Sequence, residues 1–405
     1  MRFIISSFLP SYFAGVSFVL LLTYFGLRVL TADLGQQSKR IIAFFYILFA
    51  VSFLGLQLYT FSTPASSQAS RVSFILSVIS LTILVLIPIT FFSIITLISF
   101  IFRWLSLRKA QLVILTGAVL LSSGMLLVIA YSLLWGKYDI LTNRRTLQFA
   151  DLPEALDGIK IVQVSDIHIG SFEMDRKILE DARKIIAFEN PDLLCFTGDI
   201  VNNFAEELDG SITYLKRFPA KYRKVAILGN HDYGDYSQWP DSMSKIKNFD
   251  QIKAGLTDSG FDLLLNRWIK INISDTSLYI AGVENWGHSP FPQYAMLDKA
   301  IDGIPANSFK ILLTHDPAHW KAKVVPETDI PLTLSGHTHG GQFGIKIAGI
   351  EFSPIYFVQK TWGGLYKSDN QYLYVNKGLG VIGFPGRIEM RPEITVLTLR
   401  CAKTH

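Results

Sequence analysis

The pattern of apolar and polar positions divides the chain into two unlike parts. In the first 136 residues, four long apolar stretches cover about 3–30, 41–61, 72–102 and 112–136. A helix needs roughly 20 apolar residues to cross a bilayer. Buried helices of a soluble domain would keep a polar face, and these stretches show almost none. The pattern therefore predicts four spanning helices. The first stretch is too long for the core of a signal peptide and lacks a clear small-residue cleavage site near its end. The third is long for one span, so either Pro88 kinks it or its end lies along the interface.

Beyond a segment at 137–158 that reads as a connector, the period changes. Short apolar runs at 161–164, 193–196, 225–228, 311–313 and 331–334 read as buried strands. Helical stretches at 175–188 and 249–259 separate some of them, the second closed by Gly260. Further strand-like runs lie at 262–273, 278–283, 345–350, 372–375 and 394–399. Strands alternating with helices predict a two-sheet α/β sandwich with helices outside. The domain organisation is thus a transmembrane part at 1–136, the connector at 137–158, and an α/β domain at 159–405.

Each of the five buried runs ends in a polar group able to bind a metal. They lead into Ser165-Asp166-Ile167-His168, Gly198-Asp199, Gly229-Asn230-His231-Asp232, Thr314-His315-Asp316 and Gly336-His337-Thr338-His339-Gly340-Gly341-Gln342. Open α/β sheets place their sites beyond the carboxyl ends of strands. In an extended segment His337 and His339 would point to the same side. Imidazole and carboxylate oxygen together suit manganese, iron or zinc.

The order Asp-x-His, Gly-Asp, Gly-Asn-His-Asp, His, Gly-His-x-His resembles that of the calcineurin-like metallophosphoesterases, from about residue 159 to the C-terminus. The Gly-His-Thr-His-Gly-Gly-Gln ending, with Asn376-Lys377-Gly378-Leu379-Gly380 and Arg391-Pro392-Glu393-Ile394, is similar to the membrane-associated bacterial branch. The resemblance implies a four-layer α-β-β-α sandwich after an all-α bundle of four transmembrane helices. It also implies two divalent ions, with manganese the first expectation and iron or zinc the alternatives. Asp166, His168 and His339 would hold one ion, Asn230, His315 and His337 the other, and Asp199 would bridge them. A hydroxide between the ions would attack the phosphorus. His231 would be the general acid for the leaving oxygen, or else a histidine that only orients the site, and Asp166 or a neighbour would orient His231. Asp232 is expected to be structural. The implied activity is hydrolysis of a phosphodiester, phosphomonoester or pyrophosphate bond, with a lipid-linked substrate the leading candidate. The alternative is a non-catalytic module of the same fold attached to a membrane domain.

Less defined residues complete the reading. Arg387 would meet a substrate phosphate or form a surface salt bridge, and the role of Asn203 stays open. His288, His319 and the terminal His405 read as ordinary histidines. Tyr233, Tyr236, Trp239, Trp286, Phe291 and Tyr294 fall in loops near the site strands, as local packing or as a lipid-facing rim. Cys195 reads as a small core residue, and no cysteine spacing suggests a zinc site.

Composition adds the membrane and its sidedness. Half of the residues are hydrophobic and only 18% are charged, an unusually apolar balance for a soluble protein. Residues 1–136 hold eight Lys/Arg and one acid, a net +7; the whole chain is +5, leaving −2 for the rest. The basic balance belongs to the membrane part and gives no argument for nucleic acid. No protein partner is indicated. Lys39 and Arg40 lie in one linker and Arg103, Arg108 and Lys109 in another. The positive-inside rule places both in the cytoplasm and the α/β domain outside. Lys137, Arg144 and Arg145 argue the other way. The expectation is a multi-pass protein of the cell (inner) membrane with an extracytoplasmic site.

Overall fold

The computed structural model describes residues 2–62, 68–172, 175–287 and 292–402. The chain forms two compact units, Met1–Leu134 and Trp135–His405.

The first unit contains α1 (Arg2–Leu30), α2 (Gln36–Ser62), α3 (Gln68–Trp104) and α4 (Arg108–Leu134). All four are long and apolar enough to cross a membrane. The α-helix of α3 continues through Pro88. Several buried hydroxyls bond to carbonyls of their own helix, as Thr23 does to Val19 O and Thr60 to Leu56 O, and a smaller set bonds across helices. Tyr12 of α1 donates to Gln57 Oε1 of α2 at 2.7 Å. Gln57, wholly buried, donates to Thr82 Oγ1 of α3 at 2.9 Å. In lipid an unmet amide would cost several kcal/mol, so this network sets how the three helices face each other. Asp33, after α1, accepts from Arg103 at 2.6 Å and from Arg108 at 3.2 Å. The two basic linkers therefore lie at the same end of the bundle.

The second unit begins with β1 (Leu141–Phe149), β2 (Lys160–Val164), α5 (Lys177–Glu189), β3 (Leu193–Thr197), α6 (Ile212–Lys216) and β4 (Arg223–Ile227). It continues with α7 (Ser242–Asp258), β5 (Asp262–Leu263), β6 (Arg267–Ile273), β7 (Thr276–Gly282), α8 (Leu297–Ile301), β8 (Lys310–Leu313) and β9 (Leu332–Ser335). Last come β10 (Ile345–Ile347), β11 (Ile350–Phe352), β12 (Gly364–Ser368), β13 (Gln371–Val375) and β14 (Glu393–Cys401). One six-stranded sheet has the order β1-β14-β2-β3-β4-β5; the other has β12-β13-β9-β8-β7-β6. β10 and β11 form a separate hairpin.

Alternation along the strands explains the layers, because successive strand side chains point to opposite faces. Leu193 and Cys195 of β3, Val225 and Ile227 of β4, and Ile311 and Leu313 of β8 meet in one core between the sheets. Leu194, Phe196 and Ala226 face the other way and pack with Ile178, Ala182 and Ile186 of α5 and Ile252 and Leu256 of α7. Leu312 and Val375 pack with Leu297, Ala300, Trp320 and Val324 on the far side of the second sheet. The result is the expected α-β-β-α sandwich.

Several boundaries differ from expectation. Residues 137–158 are not a plain connector, because β1 pairs in parallel with β14 along its whole length, from Leu141–Glu393 to Phe149–Cys401. Only Leu147 and Phe149 of β1 reach the core, so its apolar signal is short. α7 starts at Ser242, well before residue 249, because Asp241 caps it by accepting the Ser244 N–H at 2.7 Å. The run at 262–273 is two strands, and that at 345–350 is the β10–β11 hairpin.

Candidate metal centre

The strands that sequence reasoning singled out deliver their polar ends to one place. Asp166 and His168 follow β2, Asp199 follows β3, Asn230 follows β4, His315 follows β8, and His337 and His339 follow β9. The two histidines of the last motif are not in an extended strand. Their φ angles are 75° and 53°. Asp166, His168 and Asp199 also have positive φ, at 51°, 44° and 59°. Non-glycine residues in this region cost of order 1–3 kcal/mol each and persist only where the surroundings over-determine them. Here the surroundings are backbone hydrogen bonds between site loops. Asp166 N–H reaches Gly198 O at 2.9 Å, His168 N–H reaches Asp199 O at 3.2 Å, and Gly380 N–H reaches Asp166 O at 2.7 Å.

The side chains form two groups that share Asp199. Asp166, His168, Asp199 and His339 bring candidate ligand atoms within 4.8 Å of one another, and so do Asp199, His315 and His337. Asn230 completes the second group: its Oδ1 lies 3.0 Å from His315 Nε2 and 2.8 Å from His337 Nδ1. Asp199 uses Oδ1 to accept the His231 N–H at 2.8 Å. Its Oδ2 stands 3.1 Å from His315 Nε2 and 3.5 Å from His168 Nε2, between the two groups. Small residues make the approach possible. A Cβ on Gly229 would lie 2.2 Å from Asp199 Oδ1, and one on Gly336 would lie 2.3 Å from Asp166 Oδ2.

This donor set fits divalent cations better than it fits a hydrogen-bond network. His168 Nε2 and His339 Nε2 face each other at 3.1 Å. Burial pushes the pKa of His168 down to about 3 and that of His337 to about 4, and holds His339 well below the usual range. Neutral imidazole is the form that ligates metal. Against the cost of burial, the Asp199 and Asp166 carboxylates pull His315 up to about 10. The negative charge of these two carboxylates is what favours a cation at this position.

Neighbouring side chains hold the ligands. His315 Nδ1–H donates to Thr197 O at 2.7 Å, leaving Nε2 for the site. Asn230 Nδ2 donates to Tyr236 Oη at 2.7 Å, which turns Oδ1 toward the histidines. Asp232 accepts the backbone N–H groups of Asp199, Ile200 and Gly229, each at 2.9 Å, and is structural. His231 is only part-buried. Its Nδ1–H donates to the Asn202 carbonyl at 2.7 Å, and its ring stacks on Tyr236 with centroids 4.4 Å apart. The group that orients it is therefore a backbone carbonyl, not Asp166.

Other expectations change. Arg387 is neither a surface residue nor aimed at substrate: it is buried and donates to the carbonyls of Gly380, His339, Met390 and Lys377. Tyr233 is buried and stacks on Tyr294, Trp239 donates to Gly234 O, and Trp286 stacks on His319, so these aromatics, with Tyr294, Trp239 and Trp286 part-buried, take part in local packing. His319 is a buried packing residue that also meets Thr314 Oγ1 at 3.0 Å. Asn203 is buried, and its side chain finds no hydrogen-bond partner among the described residues. His288, Phe291 and His405 lie outside the described residues. The sequence reading missed the tie between Tyr236 and Asn230. They are six positions apart in the sequence, and only the return of the loop after β4 joins them.

Comparison with known proteins fits this geometry. The family model for calcineurin-like phosphoesterases matches residues 159–341. An uncharacterized metallophosphoesterase of Bacillus subtilis, YkuE, is 34% identical over 64% of this chain and 85% of its own length. The chain belongs to the calcineurin-like phosphoesterase family. A zebrafish transmembrane protein with a metallophosphoesterase domain is 29% identical over 62% of this chain. The match covers 55% of that protein, so the chain spans about half the length of this relative. An uncharacterized metallophosphoesterase of Aquifex aeolicus is 27% identical, matched over 65% of this chain and 93% of its own. With its four membrane-length helices, this chain is a membrane member of the calcineurin-like phosphoesterase family.

Proposed function

We propose that this protein is a membrane-anchored phosphohydrolase working with two divalent ions. Its substrate would carry a phosphodiester, phosphomonoester or pyrophosphate bond on a lipid-linked group. The observation that supports this most is Asp199 Oδ2, which stands between two histidine-bearing ligand groups. Asp166, His168 and His339 would hold one ion, Asn230, His315 and His337 the other, and Asp199 would serve both. Bound ions would supply Lewis-acid activation of the phosphoryl group and of the attacking water. Manganese is the first candidate, with iron or zinc as alternatives.

The chain's own residues supply the rest. His231 is committed at Nδ1 to the Asn202 carbonyl, so Nε2 is the nitrogen available to a leaving oxygen. It would act there as general acid. Asp232 and Arg387 stay away from substrate and keep the ligand loops in place. The distribution of Lys and Arg supports an extracytoplasmic site, since Asp33 joins both basic linkers at one end of the bundle.

The test is elemental analysis with activity. Full-length protein in nanodiscs should hold two metal ions per chain and hydrolyse bis(p-nitrophenyl) phosphate. Chelator should remove both properties, and manganese, iron or zinc should restore them. Active protein with one metal or none would overturn the proposal.

A further inference from the structure

The β10–β11 hairpin is built inside out. Ile345 pairs with Phe352 and Ile347 with Ile350, so these four side chains share one face. That face looks into solvent: the residues are 48%, 40%, 67% and 75% exposed, respectively. The opposite face carries the pair Lys346 and Glu351. Glu351 turns toward the body of the domain, where it accepts from the buried Lys377 at 2.8 Å. A hairpin packed on a core in water shows the reverse arrangement, with the apolar face inward.

The exposed surface continues beyond the strands. Phe343, which precedes the hairpin, is 48% exposed, and Phe357 and Val358, which follow it, are 74% and 84% exposed. The exposed Lys360 sits 3.8 Å from the Tyr356 ring centroid at the edge of this surface. Single exposed apolar residues are ordinary, but a contiguous group of this kind marks a contact surface. The tip is shaped for exposure too. Ala348 and Gly349 both have positive φ, 50° and 84°, which gives a tight turn that projects the two flanking isoleucines.

This surface is attached to the metal centre. Phe343 lies four residues beyond His339. Ser353 Oγ donates to Phe343 O at 2.8 Å and closes the base of the hairpin. Lys377, which holds Glu351, also packs its chain against Gly340, beside His339.

We propose that the β10–β11 hairpin and the following 354–358 turn form a bilayer-docking element that sets the metal-ligand cluster against phosphate-bearing lipid headgroups. A bilayer is the occupant the chain itself points to. Only residues 135–140 separate the last apolar helix from β1, and six extended residues reach at most about 20 Å. The chain length thus tethers the start of β1 to a helix of membrane-spanning length, which makes a bilayer the surface this domain meets at the highest local concentration. Apolar side chains at a tip flanked by lysines are the composition that enters the headgroup boundary, with the ammonium groups left at the anionic surface. The substrate class that follows is a lipid whose phosphate lies at the bilayer surface, rather than a free nucleotide. This substrate assignment rests on the phosphohydrolase reading; the docking itself does not.

The experiment reads docking without turnover. Full-length protein lacking Cys401 is labelled with bimane at Ile347→Cys, at Ile350→Cys, or at Lys270→Cys, an exposed position of β6; Cys195 is fully buried. Each is placed in phosphatidylcholine–phosphatidylglycerol nanodiscs with or without brominated acyl chains. The labels at 347 and 350 should lose most of their fluorescence in brominated lipid, and the label at 270 should not. Adding Ile347→Glu beside the label at 350 should restore the signal. No bromine quenching at 347 and 350, or equal quenching at all three positions, would overturn the proposal. Quenching between labelled chains that ignores the bromine would assign the face to a second copy and overturn it as well. Because chelated protein serves equally, failure of the phosphohydrolase reading is seen separately, as absence of turnover with docking intact.

Discussion

The Asp232 carboxylate accepts the backbone N–H of Asp199 at 2.9 Å. It also takes the N–H groups of Ile200 and Gly229, so one buried side chain fixes the loops after β3 and β4 relative to each other. Asp232→Ala would leave these donors buried without partners, at about 1–3 kcal/mol each. The expected outcome is a loss of about 3 kcal/mol in stability together with reduced metal content. Thermal melting and elemental analysis check it. Asp199→Ala should remove both metals and all activity while costing less stability.

His231 separates catalysis from metal binding. His231→Ala should lower turnover by about 10²–10⁴-fold with metal content unchanged. The loss should shrink for a nitrophenolate leaving group, which needs little protonation. Equal losses for good and poor leaving groups would make His231 an orienting residue only.

Tyr236 should act through Asn230. Tyr236→Phe keeps the ring that stacks on His231 and removes the acceptor for Asn230 Nδ2. Loss of such a supporting group lowers metal affinity by about 10–100-fold. Metal titration of the chelator-treated variant measures this, and adding excess metal should recover most of the activity.

Arg387 should report on stability and not on substrate binding. Its guanidinium fork satisfies several carbonyls at once, which a lysine ammonium cannot match. Arg387→Lys should cost about 3 kcal/mol by leaving buried acceptors unmet. KM measured below the lowered melting temperature should stay unchanged. A large rise in KM would place Arg387 on the substrate after all.

Membrane sidedness has its own test. Single cysteines in 62–70 and in 103–109, in protein lacking Cys195 and Cys401, meet an impermeant thiol reagent on intact cells. Labelling at 62–70 and none at 103–109 is expected for an extracytoplasmic domain. The reverse would favour a cytoplasmic substrate.

Much of this protein is determined by the sequence alone. Four apolar stretches of membrane length need no tertiary context, because in lipid each helix satisfies its own backbone. The site strands are equally legible: they are short, continuous and apolar, and each ends in Asp, His or Asn. Tertiary structure decided what depends on distant partners. Leu141–Phe149 becomes a strand because β14 lies beside it, and the Leu147 and Phe149 pair alone is too weak a signal. Arg387 reads as a surface charge until the loops after β9 and β13 wrap their carbonyls around it. The hairpin is the clearest case. Alternation over 345–352 announces one apolar face, but a period of two is the same whether that face turns inward or outward. The Glu351–Lys377 ion pair faces the polar side into the domain and leaves the isoleucines outside.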